Sequence, residues 1–367
     1  MFSDLAKSHA DACRFCWMCR HICPVALATG KEGSTPRGKA FVVSMDSRNI
    51  PLGETAAGIV YECCLCGACS NDCVTGYQPP IFVREARTKL VAEELVSPEV
   101  AKLVDLALEG KRFDEEPDQL LIKEISSLTK NADILLYLGA VARHHSAQSA
   151  IDFIKILKFC SIEFAVLEKE LPTGVYLGDL IGYTEEVREM ASACAKQITE
   201  TGAKKLVVLE PSDAQFVKQQ WAEWGIEPNI EIITATTFLA NLLDKGTLKI
   251  KKIELENATY HDPCRLVRDL DEGEAARKLI AAMGIDTNEM LLNRKLTRCC
   301  SGAVFNATNP KMSAELVSER WNDAKLCGAN KIITACPECQ YILGGAVAEG
   351  NAVYDIYSLL VRSIQNN

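Results

Sequence analysis

The chain has 367 residues, of which 48% are apolar and 24% are charged, with seventeen cysteines and a formal net charge of −9. Its length and apolar content predict a folded protein of two to three domains. The acidic balance argues against nucleic-acid binding, because neutralising phosphates requires a basic face. The longest apolar stretches, such as residues 332–335, are far shorter than the roughly 20 residues of a membrane helix. We therefore expect no transmembrane segment, while peripheral docking on a membrane stays open.

Two runs of four cysteines near the N-terminus share the spacing Cys-x2-Cys-x2-Cys-x3-Cys. Their members are Cys13, Cys16, Cys19 and Cys23, and then Cys63, Cys66, Cys69 and Cys73. This spacing is typical of a pair of 4Fe-4S clusters, since three thiolates on a tight loop and one distant thiolate converge on each cage. In two-cluster ferredoxins the fourth cysteine of each run ligates the other cluster. We therefore assign Cys73 to the first cage and Cys23 to the second.

Structural zinc is the alternative interpretation of the Cys-x2-Cys pairs, but a zinc site closes at four ligands arranged as two pairs. Two complete runs favour iron–sulfur clusters. The module departs from the ferredoxin pattern, because thirty-nine residues separate Cys23 from Cys63 and Val74 replaces the proline that follows the last cysteine. We predict an expanded ferredoxin-like domain with two 4Fe-4S clusters over residues 1–95, in which Cys64 is a spare thiol.

The cysteine pattern also bears on the cellular compartment. Seventeen cysteines in cluster spacings do not suggest a disulfide framework. No charged-then-apolar leader precedes Cys13, so we expect a reducing, cytoplasmic location.

Helices are predicted after the cysteine runs. Residues 81–95 place apolar side chains near helical spacing, and Ser97-Pro98 begins a second helix that reaches Leu108. A charged stretch at residues 111–118 predicts a hinge or a solvated loop. Residues 96–130 are thus expected to form a helical linker.

From about residue 133, short apolar segments alternate with helical ones. Strands are predicted at residues 134–138, 163–167 and 205–209, and helices at residues 147–159 and from Thr184 onward. This alternation predicts an α/β architecture with a parallel sheet.

The α/β part also repeats itself. Residues 201–211 and 327–337, which lie 126 positions apart, share a helix end, a strand and a proline-led turn. Two copies of one unit are therefore predicted, over residues 131–250 and 251–367. The predicted fold class is α+α/β, an N-terminal helical two-cluster 4Fe-4S ferredoxin module followed by a duplicated α/β domain.

The two copies differ in their metal-ligating residues. Where the second copy has Cys336 and Cys339, the first has Glu210 and Asp213. Only the C-terminal copy is therefore expected to keep a metal site. The two carboxylates are expected to be solvated, as exposed carboxylates usually are.

The second copy carries five cysteines at predicted strand ends, where open α/β sheets place their ligand sites. They are Cys264, Cys299, Cys300, Cys336 and Cys339. Adjacent cysteines bond to each other only with strain, so the doublet favours a metal that accepts both thiolates, or one ligand beside a reactive thiol. A thioredoxin-like dithiol at Cys336 and Cys339 is a third interpretation, which leaves the other three cysteines unexplained.

This arrangement resembles the cysteine-rich CCG domain of heterodisulfide reductases and of the iron–sulfur subunit of glycolate oxidase. The two-cluster module, with Thr35-Pro36-Arg37-Gly38-Lys39 between its runs, looks like the N-terminal half of the same family. The resemblance covers nearly the whole chain. It implies a third cluster, a noncubane 4Fe-4S centre ligated by the five cysteines of the CCG repeat. The first copy is a degenerate CCG repeat without metal ligands.

The resemblance implies an electron-transfer subunit of a multi-subunit oxidoreductase. Its expected partners are a FAD-containing dehydrogenase of the 2-hydroxyacid-oxidising type and further redox subunits. No Gly-x-Gly-x-x-Gly follows a strand, so neither flavin nor NAD is expected in this chain. The alternative is a catalytic subunit that reduces a disulfide at the noncubane cluster. An open pocket at Cys300 and Cys339 would favour the alternative, whereas covered cysteines would favour the relay.

Two further residues are candidates for cofactor binding, and none is assigned as catalytic. Arg37 is predicted to raise a cluster potential by its charge, to contact an acidic partner, or to lie in a solvated turn. His261, three residues before Cys264, is predicted to orient a thiolate or lend a proton; a satisfied histidine at a strand end fits equally well. Trp17 is predicted to shield a cluster from water or to serve in packing.

Overall fold

The computed structural model describes residues 2–345 and 347–365, without the side chains of Ser47 and Gln365. The chain divides into two compact units. The first comprises Met1–Arg112, Gly174–Arg188 and Leu292–Arg320, and the second comprises Phe113–Thr173, Glu189–Leu291 and Trp321–Asn367. The predicted domain boundaries near residues 95, 130 and 250 stay a prediction.

The first unit is built from helices. They span Asp4–Asp11, Met18–Ile22, Pro24–Thr29, Pro36–Ser47, Glu54–Tyr61, Ala68–Asp72, Pro79–Ala92, Pro98–Leu108, Val175–Ile181 and Ala303–Thr308, with a 3-10 helix at Arg294–Leu296. Thr35 and Ser97 accept hydrogen bonds from backbone N–H groups of the first turn, and a proline follows each of them. The helices predicted over residues 81–95 and from Ser97 to Leu108 are confirmed, the first with slightly earlier ends.

The helix Pro79–Ala92 organises the core of the first unit. Its apolar face, which includes Phe82, is fully buried. Arg87 on the same helix is also buried, and its guanidinium donates to the carbonyl oxygens of Asp179 and Cys63. A charged donor in this position satisfies backbone acceptors that water does not reach. This helix therefore holds the start of the second cysteine run against the core.

The second unit contains two parallel sheets. The strands are β1 (Ile134–Tyr137), β2 (Ala165–Val166), β3 (Lys205–Val208), β4 (Glu231–Thr234), β5 (Ala258–His261), β6 (Lys331–Thr334) and β7 (Ala352–Asp355). The first sheet has the order β2-β1-β3-β4 and the second has the order β5-β6-β7. Every strand pair in the described residues is parallel.

Helices connect the strands, as parallel pairing requires. In the second unit they span Gln119–Ser126, Ala140–His144, Ala147–Phe159, Pro211–Gln215, Trp221–Glu223, Ala235–Asp244, Gly273–Ala282, Pro337–Gly344 and Ile356–Gln365, with π-helical turns at Phe216–Gln220 and Arg265–Asp269. Glu185–Glu200 and Pro310–Leu326 have residues in both units. One core cluster, with Phe153 and Leu360 among its members, contains residues of both sheets.

Helices with parallel sheets confirm the mixed fold class predicted from the sequence. The helix predicted at residues 147–159 has those bounds, and the strand predicted at residues 163–167 is shortened to Ala165–Val166. Within the part of the chain that the structure describes, no helix combines the length and the apolar content needed to cross a bilayer.

Candidate metal centres

The second cysteine run borders a cavity in the first unit. Cys23, Cys63, Cys66 and Cys69 line it, and the space not filled by atoms is about 380 Å³. The last cysteine of the first run thus lies with the first three cysteines of the second run. These are the four thiols that the ferredoxin rule assigns to the second cage. Their role as ligands stays a prediction.

The two cysteine runs follow the same backbone course. Phe15 and Leu65 have φ angles of 54° and 51°, and Trp17 and Gly67 have φ angles of 69° and 71°. A short helix follows each run, Met18–Ile22 in one case and Ala68–Asp72 in the other. Left-handed residues between the cysteines fold each run into a tight loop. Both runs therefore have the compact loop that a cubane needs.

The cysteines of the predicted first cage are linked across the two runs. The Thr75 hydroxyl donates to the carbonyl oxygen of Ala12 at 3.0 Å and lies 3.2 Å from the Cys73 Sγ. Thr75 thereby ties the last cysteine of the second run to the residue before Cys13. Cys16 is exposed, whereas Cys13, Cys19 and Cys73 are half-buried.

The thiol groups of these loops differ in acidity. Burial raises the pKa of Cys19 and of Cys64 to about 12, and that of Cys23 to about 11. Neighbouring cysteines add to the rise at Cys19 and Cys64. At Cys73 burial acts in the same direction, but hydrogen bonds with Thr75 outweigh it and lower the pKa. Buried thiols of this kind release their protons when a metal takes their place.

The two loops differ in exposure. Phe15 and Trp17 of the first loop are 62% and 45% exposed, whereas Leu65 of the second loop is 2% exposed. Trp17 also occupies a left-handed position at which the second loop has a glycine, a conformation that costs roughly 1–2 kcal/mol for a residue with a Cβ. The first loop therefore presents its side chains to solvent.

Arg37 packs over this exposed loop. Its guanidinium lies 3.9 Å from the centre of the Trp17 ring and forms an ion pair with Glu32. Such cation–π contacts are worth about 0.5–1 kcal/mol at exposed sites. Arg37 is thus held against the first loop rather than left in a solvated turn, and its effect on a cluster stays a prediction.

Cys64 differs from the spare thiol expected from the sequence. It lines the cavity beside Cys63, and its side chain is hydrogen-bonded to Cys299. The doublet Cys299 and Cys300 is buried in the first unit. Gly302 has a φ of 77°, a left-handed value that a glycine adopts freely.

The other three cysteines of the C-terminal set lie in the second unit, after two paired strands. In the parallel pairing of β5 with β6, His261 lies opposite Thr334, so both strands end at one edge of the sheet. Cys264 follows β5, and Cys336 follows β6. Cys336 caps the helix Pro337–Gly344, and its Sγ accepts a hydrogen bond from the Cys339 N–H at 3.4 Å. The edge where open α/β sheets bind ligands therefore carries Cys264, Cys336 and Cys339.

The turn after β5 is held by a buried ion pair. Asp262 is fully buried, and both of its oxygens accept hydrogen bonds from Arg277, one of them at 2.9 Å. This bidentate pair neutralises the carboxylate two residues before Cys264. His261 is fully buried as well, and whether it orients a thiolate stays a prediction.

The acidic residues of the first copy are buried, so the expectation that they are solvated is wrong. Glu210 is 3% exposed and Asp213 is 7% exposed. The Glu210 carboxylate accepts hydrogen bonds from the Cys336 thiol at 3.1 Å and from the Glu338 N–H at 3.2 Å. Sequence reasoning missed this contact, although the 126-residue offset of the repeat already aligned Glu210 with Cys336.

Two tyrosines near Cys336 indicate that a sulfur-rich group fits the second unit. The hydroxyls of Tyr260 and Tyr357 are buried and have no hydrogen-bond partner within the described residues. Burial raises the pKa of both, and the neighbouring Cys336 raises it further. Buried donors are normally satisfied. Cluster sulfides and thiolates accept hydrogen bonds, so an iron–sulfur centre would supply the missing acceptors.

Comparison with known families assigns both cysteine regions. Residues 9–77 match the 4Fe-4S dicluster domain, and residues 258–344 match the cysteine-rich CCG domain. The chain is therefore an iron–sulfur protein that combines these two domains.

Individual relatives extend over most of the chain. Over 389 residues it is 26% identical to one of the subunits of the dihydromethanophenazine:CoB–CoM heterodisulfide reductase of Methanosarcina barkeri, covering 96% of this chain and 94% of that protein. It is 24% identical over 403 residues to a probable membrane-anchored ferredoxin of Chromohalobacter salexigens, with 97% of this chain aligned. The chain spans 60% of the length of that second relative. The resemblance to heterodisulfide reductases predicted from the sequence is confirmed.

A solved structure shares the fold. The crystal structure of a hypothetical protein from Helicobacter pylori superimposes with a TM-score of 0.59 at 11% identity. The match covers 90% of this chain and 68% of that one. At this identity the likeness shows a common fold alone.

Proposed function

We propose that the chain is an electron-transfer subunit of a multi-subunit oxidoreductase. It would accept or deliver electrons between a FAD-linked dehydrogenase of the 2-hydroxyacid-oxidising type and a second redox partner. The observation that carries the proposal is the cavity in which Cys23 lies with Cys63, Cys66 and Cys69. Cross-run ligation of this kind is the arrangement of two-cluster electron carriers. A reducing, cytoplasmic location is part of the proposal.

Three groups of cysteines would hold the clusters. The first 4Fe-4S cluster would be held by Cys13, Cys16, Cys19 and Cys73, the second by Cys23, Cys63, Cys66 and Cys69, and the third, a noncubane cluster, by Cys264, Cys299, Cys300, Cys336 and Cys339. When bound, these clusters supply one-electron redox chemistry. The protein's own contribution is to fix the thiols in tight loops and at strand ends.

The strand order supports the proposed duplication of the CCG domain. β1, β3 and β4 are consecutive neighbours in one sheet, and β5, β6 and β7 are consecutive neighbours in the other. Beside β5, at the position that β2 takes beside β1, Ala258 forms a parallel bridge with Thr287. The two sheets therefore share one plan.

The first copy offers no cysteine cage at the matching place, because a hydrogen-bonded carboxylate fills it. Glu170 accepts hydrogen bonds from the backbone N–H groups of Leu138 at 2.8 Å and Gly139 at 3.0 Å. Arg143 pairs with the same carboxylate at 3.0 Å. A fully paired buried network replaces metal ligands here, which supports a single cluster in the C-terminal copy.

The burial of two thiols favours electron transfer over disulfide reduction. Cys300 is 2% exposed and Cys339 is 4% exposed. A disulfide substrate has to reach a ligand or sulfide of the cluster, so thiols this deeply covered support the relay. Catalytic reduction of a disulfide at the third cluster remains the competing function that the experiment must exclude.

The proposal is tested anaerobically with the cluster-loaded chain and the flavoprotein that copurifies with it. Reducing the flavin with its hydroxyacid substrate should bleach the visible absorbance of the iron–sulfur clusters. The isolated chain, reduced by a viologen dye, should leave a heterodisulfide intact. Clusters that stay oxidised while the flavin is reduced would contradict the relay, and dye-driven disulfide cleavage would favour the enzyme. Cys160→Ser, a buried cysteine outside the three groups, is the matched control.

A further inference from the structure

One residue distinguishes the second cysteine loop from the first. The position after the first cysteine is Arg14 in one loop and Cys64 in the other. Arg14 is exposed and donates locally to the Asp11 carbonyl oxygen at 3.0 Å. Cys64 lines the cavity that Cys23, Cys63, Cys66 and Cys69 surround. Loops with the same backbone course thus use this position differently.

Cys64 is also in contact with the doublet. Its side chain is hydrogen-bonded to Cys299. An independent distance places the two residues together, because a Cβ on Gly302 would lie 3.5 Å from the Cys64 carbonyl oxygen and 3.9 Å from the Cys299 Sγ. All of these residues belong to the first unit. Cys64 therefore joins the second cysteine loop to a proposed ligand of the third cluster.

Apolar packing fixes Cys64 in this place. It packs, together with Cys23, against a small buried cluster formed by Val25, Phe305 and Leu316. A side chain held by neighbours on several elements has few alternative rotamers. The hydrogen bond to Cys299 is therefore part of the packed interior of the first unit.

We propose that Cys64 is a positioning residue that donates its S–H to the Cys299 sulfur and raises the reduction potential of the C-terminal centre. The proposal rests on the proposed function, since it requires Cys299 to be a cluster ligand. A hydrogen bond to a ligand sulfur stabilises the more negative, reduced state. Cys64 keeps its proton and is neither oxidised nor reduced. The single electron that the centre gains comes from the external reductant.

Two substitutions separate the hydrogen bond from the packing. Cys64→Ala removes the donor, while Cys64→Ser keeps a hydroxyl donor of similar size. In the full, cluster-loaded chain, an EPR-monitored potentiometric titration should show a lower midpoint potential for the C-terminal centre in Cys64→Ala. The expected shift corresponds to about a tenfold change in the reduction equilibrium, about 59 mV for one electron. Cys64→Ser should stay near wild type.

The controls fix where the effect belongs. Cys160→Ala removes another buried cysteine, which lies outside every proposed ligand group, and should leave the potential unchanged. In the metal-free chain the S–H stretching band in the infrared spectrum should lose a hydrogen-bonded component in Cys64→Ala but not in Cys160→Ala. This measurement reports the contact without any cluster.

The outcomes are distinct. A C-terminal centre whose potential is the same in wild type and Cys64→Ala would overturn the role of Cys64 while leaving the proposed function intact. A wild-type chain that binds no third centre would overturn both. If Cys64→Ala does not assemble the centre, Cys64→Ser decides, because a wild-type potential supports the hydrogen bond and a lowered one contradicts it.

Discussion

Asp262 shows at the scale of single residues how the second unit fixes a proposed ligand. The carboxylate is fully buried and stands two residues before Cys264. A buried charge is tolerated only when it is paired, and Arg277 supplies two hydrogen bonds to it. The turn after β5 therefore depends on one guanidinium.

Replacing Arg277 with Met should destabilise the protein by about 3–5 kcal/mol, because it leaves the Asp262 carboxylate buried and uncompensated. Urea unfolding followed by circular dichroism measures the loss. Lys204→Met is the matched control, since the Lys204–Asp133 pair is 76% and 71% exposed and such pairs contribute about 1 kcal/mol or less. Equal losses in the two variants would contradict the role of the buried pair.

The residues that could be predicted from the sequence are those whose chemistry depends on local spacing. The eight cysteines of the two runs are adjacent in sequence, so their pattern alone predicts two clusters. The contacts of Glu210 with Cys336 and of Cys64 with Cys299 join residues more than a hundred positions apart. Neither partner carries a local signal, and only the folded chain pairs them.

At the scale of elements, the first unit depends on a close approach between two helices. Gly182 ends the helix Val175–Ile181 with a φ of 85°. A Cβ there would overlap the Thr88 hydroxyl and lie 2.5 Å from the Arg84 carbonyl oxygen. Arg84 and Thr88 both belong to Pro79–Ala92, the helix that also holds the second cysteine run.

Gly182→Ala should therefore destabilise the protein more than Gly202→Ala does. Gly202 has a φ of 68°, and a Cβ added there meets no atom within 4 Å. The control thus measures left-handed strain alone, roughly 1–2 kcal/mol. The excess in Gly182→Ala reports the steric clash with the neighbouring helix. Denaturant midpoints of the two variants compare the effects, and equal shifts would show that the helices do not approach this closely.

Helices and strands could be predicted where their own periodicity was strong. The helix at residues 147–159 has its predicted bounds, and β1 and β3 begin at the predicted residues. The strand predicted at residues 163–167 pairs only at Ala165 and Val166, because β2 is an edge strand with a single neighbour. Pairing, which the sequence pattern does not report, decides its length.

At the scale of the whole molecule, the metal-free protein should lose stability in alkaline solution. The pKa values of Cys19, Cys23 and Cys64 are raised from 9.0 to about 12, 11 and 12 by burial. Their contribution to stability is complete below the unfolded pKa of 9.0 and is lost as the pH rises toward 11–12, because the unfolded chain releases these protons first.

Thermal unfolding of the metal-free chain should accordingly show a lower midpoint at about pH 10 than at about pH 8. Cys23→Ser should reduce the difference, since it removes one of the three buried thiols. A midpoint that is independent of pH in this range, or that rises, would contradict the burial of these thiols in the metal-free state.

The central claim is that thiols from both cysteine runs and from the C-terminal repeat hold three four-iron centres. Iron quantification and EPR on the anaerobically purified chain test it most directly, with Cys300→Ser as the comparison. We predict about twelve irons in wild type, and in the variant about eight with only the C-terminal signal lost. About eight irons in both proteins, with identical spectra, would contradict the account.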